Sequence, residues 1–284
     1  MIISVASGKG GTGKTTISTN IALMFQGIKF IDTDVEEPNA HIFLQPVFNT
    51  KYDVIRLYPE VDYNKCTFCG ECAKACAFNA IAVANNKVLV FKELCHGCGL
   101  CNYVCPEGAI TEVGRTMGIV RHGETVFGID FWDGLLNLGE ATPVPVIKDL
   151  KERALEDYDR NRDIVIIDAP PGTSCPVIEA IRGSDYAILV TEPTPYGLAD
   201  LRLMVEVVEE FKIPFGVVIN KANLGDRKMY EYLKEKHIEI ISEVPFSEEG
   251  ARLYSKGIPL YNVYPFKDPF QKIVEKLKGL KKGL

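Results

Sequence analysis

The stretch Gly8-Lys9-Gly10-Gly11-Thr12-Gly13-Lys14-Thr15-Thr16 decides how the rest of the chain is read. It satisfies the pattern G-x-x-x-x-G-K-[ST] at every fixed position. Ile2-Ile3-Ser4-Val5-Ala6 before it is a short β-prone run, and residues 15–25 after it have helical spacing. Glycines let the backbone wrap closely, so that successive N–H groups turn inward and form an anion nest at a helix N-terminus. Lys14 then reaches the β- and γ-phosphates of a nucleotide, and the Thr15 hydroxyl joins a Mg²⁺ shell. A glycine-rich turn without a ligand is the alternative, and the full match in strand–loop–helix context speaks against it.

At 284 residues the chain can form one large domain or two smaller ones with proper cores. A net charge of −6 argues against a general nucleic-acid binder, which carries a basic footprint. No run of about 18 apolar residues is present, so no transmembrane helix is expected. Met1 to Ser7 leads straight into the glycine loop and is too short for a signal peptide. The expected location is the cytoplasm. Thiols stay reduced there, so nine cysteines point to metal rather than to disulfides.

Ile28-Lys29-Phe30-Ile31-Asp32 reads as a second buried strand, ending in Asp32-Thr33-Asp34, and Asp163-Ile164-Val165-Ile166-Ile167-Asp168 as another. Carboxylates at the C-terminal ends of strands lie where open α/β sheets bind ligands. For each of them a turn or helix-capping role is the ordinary alternative. Residues 117–120 and 125–129 are read as strands, Trp132 with Gly134 and Gly139 as a loop, and residues 145–158 as a helix. Downstream, strands at 186–191, 215–220 and 239–244 alternate with helices at 198–211 and 227–236. That rhythm predicts a doubly wound, mostly parallel α/β sheet. The last stretch, 270–282, is amphipathic and basic. A terminal helix packing its apolar face on the domain is the preferred reading, with membrane contact the alternative.

Between Tyr58 and Gly114 the texture changes. Eight of the nine cysteines fall here, in the groups Cys66, Cys69, Cys72, Cys76 and Cys95, Cys98, Cys101, Cys105. Both groups read C-x₂-C-x₂-C-x₃-C and repeat at an offset of 29 residues, with Gly70/Gly99, Ala80/Ala109 and Ile81/Ile110 also matching. The segment is an internal duplication. Zinc suits C-x₂-C pairs, but paired units alone leave the third and fourth cysteines unexplained. His96 lies inside the second group and is read as a surface or supporting residue. Cys175 stands alone and is left out of the ligand set, since a free cysteine is more often an inert core residue.

These motifs carry two resemblances. The box Lys9-Gly10-Gly11-Thr12-Gly13-Lys14-Thr15-Thr16 resembles the deviant Walker A box, K-G-G-x-G-K-[ST]. Its family includes the MinD and ParA ATPases, the nitrogenase iron protein and the Mrp-type iron–sulfur carriers. The resemblance implies an ATP-hydrolysing, nucleotide-sandwich homodimer with ATP/ADP and Mg²⁺ as cofactors, in which Lys9 reaches across to the partner's nucleotide. It also implies that Asp34 orients the attacking water, that Asp168 holds the Mg²⁺ shell, and that Ala169-Pro170-Pro171-Gly172-Thr173 senses the γ-phosphate. Asn220-Lys221-Ala222-Asn223 resembles the adenine-contacting segment. A guanine-specific N-K-x-D would need Asp at 223, so ATP is favoured over GTP. Pro245-Phe246 is placed in the same base pocket.

The cysteine duplication resembles a bacterial-type two-cluster ferredoxin, in which the fourth cysteine of each group ligates the other cluster. Carried over, one 4Fe–4S cluster takes Cys66, Cys69, Cys72 and Cys105, and the second takes Cys95, Cys98, Cys101 and Cys76. Ala77 stands where that family usually has proline, a position that supplies no ligand. The Mrp-type carriers use a C-x₂-C near their C-terminus, which this chain lacks. The implied organisation is a P-loop ATPase domain over 1–57 and 115–284, interrupted at 58–114 by a ferredoxin-like domain. Three functions follow from it as expectations. The first is an ATPase whose nucleotide state gates electron transfer to a redox partner, and the second is cluster assembly or carriage for an iron–sulfur client. The third is a positioning ATPase that uses the insert for docking.

Overall fold

The computed structural model describes residues 1–282. Strand β1 (Ile2–Ala6) feeds the glycine loop and helix α1 (Lys14–Ala22), followed by β2 (Lys29–Asp32) and the short helix α2 (Ala40–Leu44). Strand β3 (Pro46–Val61) runs out to a small unit made of α3 (Glu71–Ala75), the hairpin β4 (Ile81–Ala84) and β5 (Lys87–Val90), and α4 (Leu100–Tyr103). Strand β6 (Ile110–Thr125) returns from it and turns into β7 (Asp130–Leu136), after which α5 (Val144–Ala154) leads to β8 (Val165–Asp168). Then follow α6 (Cys175–Ile181), β9 (Tyr186–Thr191), α7 (Pro195–Glu210), β10 (Phe215–Asn220), α8 (Lys228–Glu235), β11 (Ile240–Val244), α9 (Glu248–Tyr254) and α10 (Lys267–Lys281).

The main sheet has nine strands in the order β11-β10-β9-β1-β8-β2-β7-β6-β3. Every pair from β11 to β7 is parallel, while β7 with β6 and β6 with β3 are antiparallel. Parallel strands covered on both faces read as unbroken apolar runs, and β8 and β9 are buried at every residue. Successive side chains point to opposite faces. Ile31, Trp132 and Ile167 therefore pack with α5, α6 and α7, and Phe30, Phe131 and Ile166 with α1 and α10. This is the doubly wound α/β sheet that the alternation predicts. Helix α10 lays Phe270, Ile273, Val274 and Leu277 against α1 and β11, so its apolar face is covered by the domain. No helix among the described residues is long and apolar enough to cross a membrane.

The region around β6 and β7 departs from the sequence reading. Residues 117–120 are only the middle of a 16-residue strand. Of the strand expected over 125–129 only Thr125 lies in a strand, as the last residue of β6; the chain then turns, because the Thr125 hydroxyl accepts the N–H groups of Phe127 and Ile129 and Gly128 takes φ 70°. Trp132 and Gly134, expected in a loop, lie inside β7. The Trp132 indole N–H donates to Asp130 and its ring stacks on His122, and a Cβ at Gly134 would press on Val35.

The long ribbon has a further consequence. Gly118 pairs with Leu136, the last residue of β7, whereas the earlier part of β6 pairs with β3 alone. The β3–β6 ribbon thus extends past the C-terminal edge of the parallel strands by roughly 25 Å, at about 3.3 Å per residue. A bulge marks its exit: Val54 faces Gly118 and Ile55 faces Thr116, which leaves Met117 as the extra residue. Bulges of this kind bend the strand that carries them. Asn137 fixes the bend, its N–H donating to the Met117 carbonyl and its side-chain amide to Thr116, each at 2.9 Å.

Sideways, the ribbon is tied to the sheet by a bidentate pair. Arg121 donates to both oxygens of Asp133, at 2.8 and 2.6 Å, and stacks over Phe48. Asp133 is wholly buried, and burial still pushes its pKa above the usual carboxylate range although Arg121 opposes the shift. Arg121→Ala would leave that carboxylate without a counter-charge and is expected to cost roughly 3 kcal/mol of stability in urea unfolding. Adding Asp133→Asn to Arg121→Ala should recover most of the loss, and a loss below about 1 kcal/mol in the single variant would show that the pair does not hold the ribbon.

Candidate nucleotide site and cysteine cavities

The glycine loop has the backbone its sequence demands. Gly11 and Gly13 take φ 77° and 89°, and a Cβ on Gly13 would collide with the Asn220 amide. Gly8 and Gly10 complete the wrap, and Gly8 lies so close to the backbone of Asp200 that it too excludes a side chain. Thr12, Lys14 and Thr15 are buried, and Ser7 donates to the Lys9 carbonyl at 2.7 Å. Thr16 opens on a cavity of about 380 Å³ walled by Asn220, Lys221, Pro245, Phe246, Tyr254 and Phe266. That is the size of a small-ligand pocket. The sequence places Asn220, Pro245 and Phe246 there, whereas Tyr254 and Phe266 come from distant elements with no local signal. Asn220 also donates to the Thr12 carbonyl at 2.8 Å, so it braces the loop as well as lining the pocket. Asn223 clamps Phe246 through two hydrogen bonds.

Three carboxylates line up beside the loop. Asp168, Asp32 and Asp133 are register partners on β8, β2 and β7. Asp168 lies among the Lys14 ammonium and the Thr15 and Ser18 hydroxyls, yet its buried Oδ1 has no hydrogen-bond partner. An orphaned carboxylate oxygen beside a threonine hydroxyl is the donor set a hard cation takes, so Asp168 and Thr15 fit Mg²⁺. Asp32 instead accepts N–H groups from Asp34, Asn39 and Ala40. It anchors the loop that carries Asp34, and burial together with Asp168 raises its pKa well above the usual range. Asp34 is half-buried, and burial pushes its pKa up to about 6 although Lys14 opposes the shift. Behind the opposite wall the Gly172 N–H donates to Ser7, joining residues 169–173 to the glycine loop.

Lys9 is turned toward its own chain. Its ammonium lies 4.0 Å from Glu192, which also pairs with Lys221. Glu192 was not singled out by sequence. It directly follows β9, at the same strand edge as Asp32 and Asp168, and that position is the signal that could have found it.

The eight clustered cysteines divide between two cavities. Cys66, Cys69, Cys72 and Cys105 line one, with Val61 and Ile110. Cys76, Cys95, Cys98 and Cys101 line the other, with Pro59 and Glu112. The second therefore lies nearer the sheet along the ribbon and is called proximal, the first distal. The duplication is visible in the geometry. Gly70 and Gly99 adopt left-handed φ of 81° and 72° before α3 and α4, and Ala80 and Ala109 each donate an N–H to the sulfur of Cys76 and Cys105 at 3.3 Å. Burial raises the pKa of the third cysteine in each group, Cys72 and Cys101, the latter to about 11. No group of three or more His, Cys, Asp or Glu among the described residues is placed to hold a single metal ion. His96 stacks on Phe78 in the proximal wall. Cys175 is exposed, and it lines neither cavity.

Asp34 gives a testable pH dependence. Its folded pKa lies above the unfolded 3.8, so the folded chain binds that proton more tightly and the group favours folding below about pH 4. This contribution is lost as pH rises through about 6, and it amounts to on the order of 2 kcal/mol after allowance for partial solvent screening. Asp34→Asn should flatten that part of the stability profile measured without nucleotide. An unchanged slope between pH 4 and 6 would show that the carboxylate titrates normally.

Three comparisons bear on this geometry. The family described as the CobQ/CobB/MinD/ParA nucleotide binding domain matches residues 3–260. An uncharacterised protein of Methanocaldococcus jannaschii is 30% identical over 90% of both chains. An iron–sulfur cluster carrier protein of Pyrococcus abyssi is 23% identical over 97% of this chain and 84% of its own. Among solved structures, the septum site-determining protein MinD of Pyrococcus horikoshii, complexed with Mg-ADP, superposes with a TM-score of 0.61 at 19% identity, covering 99% of this chain and 98% of its own. The sheet is that of a MinD-like P-loop ATPase, and the chain belongs to the CobQ/CobB/MinD/ParA nucleotide-binding family.

Proposed function

We propose that this protein hydrolyses ATP as a nucleotide-bridged homodimer and couples its nucleotide state to electron transfer through two 4Fe–4S clusters. In this reading Lys14 holds the β- and γ-phosphates, Thr15 and Asp168 hold Mg²⁺, Asp34 orients the attacking water, and Asn220 braces the base side. Lys9 exchanges Glu192 for the partner's nucleotide. Residues 58–114 act as an inserted two-cluster ferredoxin-like domain between the ATPase parts 1–57 and 115–284. Strands β3 and β6 run through both junctions, so insert and sheet share one hydrogen-bonded ribbon.

The observation that carries the proposal is the division of eight cysteines into two four-sulfur cavities at the end of that ribbon. The four sulfurs of a cubane sit on four different irons, so they surround a cavity rather than converge on one ion. The Ala80 and Ala109 N–H groups aim at the sulfurs of Cys76 and Cys105, an arrangement that suits sulfurs held by a metal cluster. When bound, such clusters supply one-electron storage at low potential. The chain supplies the connection: Asp34 follows β2, β2 pairs with β7, and β7 carries β6 through Arg121 and Asn137.

Cluster carriage is the second reading, and it is favoured by relatives such as the Pyrococcus abyssi carrier protein. Labile cargo suits incomplete ligand sets, whereas the eight cysteines here make two complete sets of four, with Cys69 and Cys98 exposed. The basic terminal stretch 270–282 is the feature that suits a positioning ATPase, and there α10 lays its apolar face on α1 and β11.

Anaerobically prepared protein should contain about eight irons per chain, and recovery of zinc instead would sink the assignment. Cluster potentials or reduction rates should differ between ADP- and ATP-bound protein. Lys14→Ala should lower hydrolysis by at least about 10²-fold and abolish that difference. Identical potentials and rates in the two nucleotide states would leave ATPase and insert merely joined.

A further inference from the structure

The two cavities have the same local design but different surroundings. Behind the proximal one, β3 places Arg56, which is 6% exposed. Its guanidinium donates to the Cys95 carbonyl at 3.1 Å, and its stem lies so close to Gly97 that no side chain fits there. Among the described residues, the arginine ion pairs belong to Arg115, Arg121, Arg153, Arg160, Arg162 and Arg252, and Arg56 makes none. Glu140, which acts on Tyr58 together with Arg56, already accepts the Tyr58 hydroxyl at 2.8 Å and pairs with Arg115 at 3.6 Å. Arg56 meets the buried Glu140 only at one remove, through the Tyr58 hydroxyl, and a buried guanidinium without a directly paired carboxylate is unfavourable. The Cys95 loop separates it from a cavity whose walls offer four thiols.

Among the described residues the other buried cations are Lys14 and Lys151, and neither lines the distal cavity. Lys65 and Lys74 are exposed and already paired with Asp62 and Glu71, at 3.7 and 2.7 Å. Each cavity has one glutamate in its wall, the exposed Glu107 in the distal and the half-buried Glu112 in the proximal, so the carboxylates do not make the proximal cavity the more positive of the two. Arg56 does.

We infer that Arg56 makes the proximal cavity the resting place of a transferred electron, so that electrons run inward along the ribbon, from the distal cavity toward the nucleotide-binding sheet. This rests on both cavities holding 4Fe–4S clusters, as proposed above. One electron from a low-potential one-electron donor, dithionite in the test, enters at the distal site. Its passage oxidises that site by one electron and reduces the proximal one by one, with no bond made and no proton required. The move adds one negative charge beside Arg56. Charge near a cluster sets its potential, and a guanidinium in a dry interior acts more strongly than one in water. Arg56 is thus a positioning residue for the electron, separated from the cluster by the Cys95 backbone.

The test is a potentiometric titration of the full chain followed by electron paramagnetic resonance, with iron content measured in parallel. Wild-type protein should reduce in two separate steps. Arg56→Gln should move the higher-potential step to more negative potential and leave the lower one in place, while Arg56→Lys, which keeps the charge, should retain the wild-type order. Movement of both steps together, or of neither, overturns the inference. If Arg56→Gln fails to hold iron, the wild-type background decides. There Cys98→Ser must alter or remove the higher step, and an effect on the lower step overturns the inference. Fewer than eight irons in the wild type would sink the cluster assignment itself, which keeps the two failures apart.

Discussion

Three buried carboxylates on adjacent strands form the constraint around which the nucleotide edge is arranged. Asp168, Asp32 and Asp133 stand side by side in register, where like charges repel and burial opposes ionisation. The row is tolerable because each member has its own remedy. Lys14 and two hydroxyls face Asp168, the backbone of the Asp34 loop and α2 serves Asp32, and Arg121 takes both oxygens of Asp133. The lysine of the glycine loop and the arginine of the ribbon are therefore the two ends of one electrostatic chain. A one-residue slip of β2 or β7 would turn an aspartate to the other face of the sheet, so the row also fixes register.

The cysteine unit emerges where it does for a topological reason. Parallel strands must return through crossovers and so stop at the edge of the sheet, but an antiparallel pair needs only a hairpin and can run on. Strands β3 and β6 are such a pair at the sheet's open side. Their extension leaves from the C-terminal edge, the edge where α/β sheets bind ligands. The Met117 bulge and Asn137 bend the ribbon where it parts from β7. Tyr58 and Arg115 then hold the ribbon to Glu140, on the loop that follows β7. The cysteine unit is thus not a free appendage on a linker. It stands on strands that are hydrogen-bonded into the row of carboxylates.

What the sequence disclosed was local. The glycine loop, the aspartates that end β2 and β8, and the strands at 186–191 and 215–220 are legible because spacing or an unbroken apolar run marks each. What it concealed was pairing. Trp132 and Gly134 resemble a loop until β2 and β6 lie beside them, since a strand buried on both faces carries no alternation and a glycine invites a turn. Thr125 and Gly128 are individually compatible with a strand, and only the hydroxyl that caps two N–H groups makes them a turn. Arg121 and Glu192 are unremarkable charges in the sequence. Their roles come from Asp133 and Lys9, at distances no local pattern encodes.

The cysteine duplication shows the same division from the other side. Two segments 29 residues apart fold alike, down to left-handed Gly70 and Gly99 and the N–H groups of Ala80 and Ala109 on their sulfurs. Local sequence therefore makes the two cavities equivalent, and any difference between them has to come from outside the repeat. The ribbon supplies it, because one cavity sits against Val61 and Ile110 at its end while the other sits by Pro59, over Arg56 and close to the sheet. A duplicated unit mounted end-on to a sheet acquires a direction, and the first buried charge on the ribbon falls on the side of the nucleotide.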